Sequence, residues 1–166
     1  MTAAALILGL VVLQRTGELL LARRNTARLL REGAFEIGAG HYPLFILLHG
    51  AWLAAIALSL RADTPIAPAP LALYLLLQLG RIWILATLGR YWTTRVITHP
   101  GTPLVRKGPY RFLRHPNYLL VALEIPLLPL VFDMVWIAVL FGLANLALLA
   151  WRIRLEEAAL APRRAA

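Results

Sequence analysis

The segment from Gly108 to Tyr118 places charged, aromatic and helix-starting residues in an order suited to binding an anion. Pro116 fits the first turn of a helix, where its missing N–H group costs nothing. Arg114 and His115 would then lie at the N-terminus of that helix, where free backbone N–H groups and the helix dipole favour negative charge. A basic loop that binds lipid phosphates would have a similar composition. Composition alone therefore leaves a ligand site and a lipid contact both open.

A second polar segment lies near the end of the chain, where Arg152 and Glu156 are four positions apart. Residues at this spacing share one face of a helix. Both side chains could extend back over the Gly108–Tyr118 segment and clamp a ligand there. The alternative is an ion pair within one helix. We expect the clamp, because the first segment needs a partner to close a site.

Several polar side chains lie within long apolar runs, where ionisable groups are costly and are a functional hypothesis by default. We expect Glu124 to act near the reacting atoms, and His49, Arg81 and Glu124 to contact a substrate. The alternative for Glu124 is a structural partner for Arg81 or Arg15. Arg15 and Glu18 are three positions apart, so they could also form a pair by themselves.

The composition is that of a membrane protein. Of 166 residues, 60% are hydrophobic and 15% are charged, whereas soluble domains carry about a quarter charged residues. The formal charge of +9 does not indicate nucleic-acid binding, because the basic residues cluster between apolar runs. The chain has no cysteine, which excludes disulfides and thiolate chemistry. Its four histidines lack the spacing of metal ligands, so we expect no metal site.

Five apolar runs approach the roughly 20 residues that a membrane-spanning helix needs. We therefore predict an all-α, polytopic membrane protein that forms a single domain over residues 1–166. The first run contains Arg15 and Glu18 and has no basic start, so we expect a span there and not a cleaved signal peptide. Pro126 and Pro129 indicate that the fourth run is bent, or pairs with the fifth in a hairpin turning at Phe132 and Asp133. The predicted spans are residues 3–22, 43–60, 71–88, 118–132 and 134–151.

The basic residues predict the orientation. They concentrate after the first span, after the third span and in the tail, and with five spans these segments all lie on one side. Positively charged loops remain in the cytoplasm. We therefore expect the cytoplasmic (inner) membrane, with the N-terminus outside and the C-terminus in the cytoplasm.

Residues 108–118, GPYRFLRHPNY, resemble the signature of the isoprenylcysteine carboxyl methyltransferase family, approximately G-x-Y-R-x-x-R-H-P-x-Y. Residues 152–160, RIRLEEAAL, are similar to the family's R-I-x-x-E-E-x-x-L motif. A helical hairpin separates the two motifs, as in that family. Both motifs in this order, on a five-span chain, indicate the family strongly. The first half of the chain looks more like a bacterial branch.

The resemblance implies S-adenosylmethionine as methyl donor, in a pocket formed by the loop before the fourth helix and the C-terminal helix. Arg152 and Glu156, with Glu124, are the catalytic candidates. Arg114 and His115 suit the donor's carboxylate. The cofactor-binding residues implied are Lys107, Gly108, Pro109, Tyr110, Arg114, His115, Pro116, Tyr118, Arg152 and Glu156.

The resemblance also implies methylation of an oxygen, a carboxylate or a phenol or enol hydroxyl, on a lipophilic small molecule within membrane lipids. The family's name indicates a prenylated C-terminal cysteine. The bacterial branch methylates long-chain alkylpyrone or alkylresorcinol hydroxyls, so we expect a lipidic phenol or pyrone. Two other classes stay open: an NADPH-dependent steroid-reductase-like or phospholipid N-methyltransferase enzyme, and a non-catalytic membrane protein.

Overall fold

The computed structural model describes residues 2–99 and 105–165, and the side chains of these up to residue 158. Five α-helices dominate the chain. They are α1 (Ala3–Arg31), α2 (Tyr42–Ser59), α3 (Pro68–Leu88), α4 (Pro116–Val131) and α5 (Val135–Ala165). Four of them, α1, α2, α3 and α5, are long and apolar enough to cross a membrane, and α4 is a shorter apolar helix. The prediction of an all-α polytopic membrane protein is confirmed.

Each helix begins close to the start of its predicted span. Two of the helices continue beyond the predicted end of the span. The first helix continues to Arg31 and the last to Ala165, well past the predicted ends at residues 22 and 151. Membrane thickness limits the apolar run, but it does not end the helix. Arginine, leucine, alanine and glutamate are all good helix formers, so the helices continue into the polar region.

One feature departs from a purely helical fold. Strand β1 (Phe35–Ile37) pairs antiparallel with β2 (Val96–Thr98), with Glu36 opposite Ile97. The sequence does not predict these strands, because three residues are too few to show an alternating pattern. The pair joins the loop after α1 to the loop after α3. These two loops and the C-terminal part of α5 lie at the same end of the helix bundle, which we call the basic end.

The opposite end of the bundle is apolar and tightly closed. Its core includes Trp52, Ile56 and Leu128, which are fully buried. The backbone N–H of Ala67 donates to the carbonyl of Val131 at 2.8 Å, which joins the loop before α3 to the end of α4. The turn between α4 and α5 follows at once, as predicted. Asp133 adopts a left-handed conformation there (φ 59°), which aspartate tolerates better than most residues.

Helix α4 packs closely on α5 despite its two internal prolines. A Cβ atom on Gly142 would lie 3.3 Å from the Cβ of Pro126, so a larger residue there would push the helices apart. Asn145 is fully buried between the two helices, and its amide lies 3.5 Å from the Val121 carbonyl. Neighbouring helices and shifted backbone hydrogen bonds allow such prolines in a membrane-embedded helix.

A buried ion network joins α1, α3 and α4 in the middle of the bundle. Glu124 is fully buried and accepts hydrogen bonds from Arg15 at 2.8 Å, from Gln78 at 2.9 Å, and from two nitrogens of Arg81. Glu18 accepts from Arg15 at 3.1 Å and from Arg81 at 2.9 Å. Two guanidinium groups thus face two carboxylates, and the network is electrically balanced.

Candidate functional site

The two predicted polar segments meet at the basic end. Tyr118, in the first turn of α4, donates its hydroxyl hydrogen to a carboxylate oxygen of Glu156 on α5. The same hydroxyl oxygen accepts a hydrogen bond from Nε of Arg152 at 3.0 Å. Arg152 and Glu156 are therefore linked through Tyr118, and the described residues show no direct ion pair between them. Both side chains therefore extend to the Gly108–Tyr118 segment and do not pair with each other within one helix. That they clamp a ligand there stays a prediction.

His115 adds a second contact between α4 and α5. Its ring stacks on Tyr118 with ring centres 5.4 Å apart and an angle of 17° between planes. Nδ1 of the imidazole lies 3.7 Å from Glu156, and Nε2 lies 3.4 Å from Glu157. Because the side chain turns toward α5, it does not cap the helix that it precedes.

Arg152 also connects the site to the first half of the chain. Its Nη2 donates to the Thr94 carbonyl at 2.7 Å, and its guanidinium lies over the ring of Phe45 on α2, 5.1 Å from the ring centre. The residue is only 8% exposed. A buried guanidinium fixed on several sides can hold a ligand or a neighbouring carboxylate without losing much conformational entropy on binding.

A cavity of about 660 Å³ opens beside this cluster, within the size range of small-molecule sites. Of the residues predicted to bind a cofactor, those that line it are Tyr110, Arg114, His115, Tyr118, Arg152 and Glu156. The others, Lys107, Gly108, Pro109 and Pro116, are not among the lining residues. The structure thus brings six of the ten predicted residues to one cavity.

The four predicted residues that do not line the cavity belong to the backbone segment beside it. Gly108 has φ of +56°, and a Cβ atom there would lie 2.3 Å from Oγ1 of Thr87 on α3, so only glycine fits. Pro109 is buried in the short helical turn that follows Gly108, and Pro116 begins α4. Lys107 is exposed and directly precedes Gly108. Gly108, Pro109 and Pro116 therefore fix the course of the backbone next to Tyr110 and Tyr118.

Part of the cavity lining is not predicted from the sequence. Trp92, Arg95 and Asn117 also line the cavity. Asn117 lies inside the predicted segment, and its position in the first turn of α4 could have identified it. Arg95 is held by Glu36 of β1 at 2.7 Å, and its position depends on a strand pairing that no local pattern reveals. The Glu36 carboxylate raises the pKa of Arg95, so this guanidinium stays charged.

Among the residues that the structure describes, two polar side-chain atoms of the cavity lining have no hydrogen-bond partner. The indole N–H of Trp92, a side chain only 3% exposed, and Oδ1 of Asn117 are both buried without a hydrogen bond. Leaving such atoms unpaired is costly. One is a donor and one an acceptor, and both belong to residues that line the same cavity.

Tyr110 is a neutral group of this wall. Burial, reinforced by the nearby charge of Glu156, raises the pKa of its phenol well above the ordinary value. The hydroxyl therefore stays protonated at neutral pH, where it can donate a hydrogen bond but cannot serve as a general base.

The residues expected to contact a substrate lie elsewhere. Arg81 and Glu124 belong to the buried ion network, and His49 bonds the Phe45 carbonyl at 2.8 Å through Nδ1. None of the three is among the residues that line the cavity. The carboxylate of Glu124 accepts hydrogen bonds from both Arg15 and Arg81, which is the structural alternative given for this residue. A role for these three in binding an acceptor stays a prediction.

Membrane-spanning helices with a polar cavity at one end, where two distant motifs meet, define a polytopic membrane protein. Residues 70–162 match the model of the isoprenylcysteine carboxyl methyltransferase (ICMT) family. An uncharacterized protein of Bacillus subtilis (strain 168), YpbQ, is 37% identical over 159 residues, which cover 93% of this chain and 95% of that protein. No solved structure matches the chain. The chain belongs to the ICMT family, which supports a membrane methyltransferase.

Proposed function

We propose that the protein transfers a methyl group from S-adenosylmethionine to an oxygen of a lipophilic molecule in the membrane. One observation carries the proposal: Tyr118 links Arg152 and Glu156 beside a cavity of about 660 Å³. The family supports methyl transfer. The identity of the donor and the nature of the acceptor are the proposed parts.

The chemical groups of the cavity wall fit the proposed donor. A free amino acid carboxylate would suit Arg114, an exposed guanidinium at the cavity. The ammonium and the sulfonium would suit Glu156, whose carboxylate lies in the wall. The unpaired polar atoms of Trp92 and Asn117 offer one donor and one acceptor for a polar heterocycle such as adenine.

The donor would supply an electrophilic methyl group. The acceptor oxygen would attack the methyl carbon, and the sulfur of the donor would leave as a neutral thioether. Arg152 and Glu156 are the residues we assign to catalysis, because both sit at the cavity and are fixed by Tyr118. Their task is to align two bound reactants and to exclude water, since charge is neutralised in this reaction and a dry site favours it.

The acceptor site would adjoin the apolar part of the cavity. Leu29 of α1, Leu88 of α3 and Ile97 of β2 line that part, and they suit an alkyl chain. A carboxylate acceptor needs no general base, whereas a phenol or enol needs one or an already lowered pKa. A lipidic phenol or pyrone remains the acceptor we propose, with His49, Arg81 and Glu124 as candidate contacts deeper in the bundle.

The proposed membrane is the cytoplasmic membrane, with the basic end in the cytoplasm. The loops and tail at that end carry most of the arginines, and the opposite end carries Arg61, offset by Asp63. Positively charged loops remain on the cytoplasmic side. A water-soluble donor would then enter the cavity from the cytoplasm, while a lipid acceptor would arrive through the bilayer.

Calorimetric titration of the purified protein tests the donor. We expect heat of binding with S-adenosylhomocysteine, the demethylated product, and none with NADPH. Binding of NADPH alone would favour a reductase-like enzyme, and binding of neither would favour a non-catalytic protein.

Untargeted lipid mass spectrometry tests the acceptor. In a strain that lacks the gene, we expect a lipid lighter by one methyl unit than its counterpart in the parent strain. Restoring the gene should restore the heavier species. A change confined to phospholipid amines would instead indicate an N-methyltransferase.

A further inference from the structure

A second groove lies at the basic end, between the C-terminal ends of α1 and α3. Its volume is about 540 Å³, and it is separate from the cavity described above. The residues that matter for its chemistry are Leu21, Arg24, Arg28, Arg31, Leu85 and Arg90. Two leucines thus lie beside four arginines in one depression.

The arginines of α1 form a stripe with a defined order. Arg24, Arg28 and Arg31 are separated by four and three positions, so they share one face of the helix. Leu21, three positions before Arg24, continues the same stripe toward the apolar part of the span and is 42% exposed. The stripe therefore passes from apolar to basic as the helix leaves the membrane-spanning segment.

The positive charge of the groove is only partly balanced. Glu32 accepts from Nε of Arg28 at 3.0 Å and from Nη2 of Arg90 at 2.7 Å, so each carboxylate oxygen has one arginine. The hydrogen bond from Arg28 contributes most to a lowered pKa of Glu32, which keeps this carboxylate ionised. Within residues 2–99 and 105–158, Arg24 and Arg31 have no carboxylate partner. The guanidinium groups of Arg24 and Arg31 are therefore available to bind an anion.

We propose that this groove binds an anionic phospholipid, with its phosphate group on Arg24 and Arg31 and an acyl chain along Leu21 and Leu85. Charge complementarity identifies the phosphate, and the adjoining leucines at the end of two membrane-spanning helices identify a lipid as its source. Basic clusters directly beside a membrane-spanning helix attract anionic lipids in this way. The proposal does not depend on methyl transfer, because neither arginine lines the cavity.

Native mass spectrometry of the full-length protein in detergent micelles tests the proposal, with phosphatidylglycerol and phosphatidylcholine added in competition. We expect the protein to retain phosphatidylglycerol preferentially. The double variant Arg24→Gln/Arg31→Gln should bind it about 25-fold more weakly, a factor of roughly five for each arginine. The variant Arg24→Lys/Arg31→Lys keeps both charges and should keep the preference.

Two controls make the result specific. Arg61→Gln removes an exposed arginine at the opposite end and should leave lipid retention unchanged. Titration with S-adenosylhomocysteine and circular dichroism report separately on the cavity and on folding of each variant. Equal retention of both lipids, or full retention by the glutamine variant, would overturn the proposal. Displacement of the lipid by inorganic phosphate at equal concentration would show that a free phosphate, and not a lipid, is the ligand.

Discussion

Tyr118 is the residue on which the candidate site depends most, because one hydroxyl serves both Arg152 and Glu156. We expect Tyr118→Phe to weaken binding of S-adenosylhomocysteine about 10- to 100-fold, since hydrogen bonds to charged groups contribute about 1.5–3 kcal/mol. Calorimetric titration measures the effect. Tyr74→Phe is the matched control, because Tyr74 is a buried tyrosine that does not line the cavity. Equal affinity of Tyr118→Phe and the parent protein would contradict the proposed clamp.

Asn117 provides a second test at the level of single residues. Its Oδ1 atom is buried and unpaired, and the residue lines the cavity. Asn117→Leu should weaken binding of S-adenosylhomocysteine about tenfold, the value of one hydrogen bond. Asn117→Asp keeps an acceptor oxygen at the same position and should bind within about threefold of the parent. Similar losses in both variants would show that the oxygen contacts no ligand.

The sequence predicts those site residues whose positions are set locally. Tyr110, His115 and Tyr118 follow from a turn, a helix start and helical spacing, and the structure places all three at the cavity. Trp92 and Arg95 reach the same cavity through the pairing of β2 with a strand some sixty positions earlier. Hydrophobic periodicity carries no information about a pairing of that kind.

At the scale of elements, the buried ion network connects α1 to α3 and α4. Glu124→Gln would leave Arg15 and Arg81 with Glu18 as their remaining shared carboxylate, so one positive charge of the network would be uncompensated. We expect a loss of about 3–5 kcal/mol in the free energy of unfolding, because breaking a buried pair leaves an uncompensated charge. Chemical unfolding in mixed micelles measures it.

The exposed pair of Arg61 and Asp63 is the control for this experiment. The two side chains are 84% and 88% exposed and 3.9 Å apart, so Arg61→Gln should change the unfolding free energy by less than about 1 kcal/mol. A Glu124→Gln protein of normal stability that no longer turns over would instead place Glu124 at the acceptor.

The number and course of the helices follow from composition, but their ends do not. The prolines of α4 mark a short helix in both sequence and structure. The continuation of α5 as a helix to Ala165 carries Arg152 and Glu156 beyond the last apolar run and into the site. The apolar pattern ends before this extension. Only the spacing of Arg152 and Glu156 indicates that they share a helical face.

For the whole molecule, the absence of cysteine makes the orientation directly measurable. Asp63→Cys and Arg154→Cys each introduce a single thiol at an exposed position on opposite ends of the bundle. On intact cells, a membrane-impermeant maleimide should label Asp63→Cys but not Arg154→Cys. After lysis it should label both. Labelling of Arg154→Cys on intact cells would reverse the proposed orientation.

The closed apolar end has a physiological consequence. The backbone N–H of Ala67 donates a hydrogen bond to the carbonyl of Val131. The buried side chains of Trp52 and Ile56 fill the space between the helices there. Water and solutes that enter the cavity from the basic end would meet this buried apolar core before they could cross the membrane. If the protein acts as proposed, the cavity would fill and empty at each turnover without a proton leak, and the electrochemical gradient of the cell would be preserved.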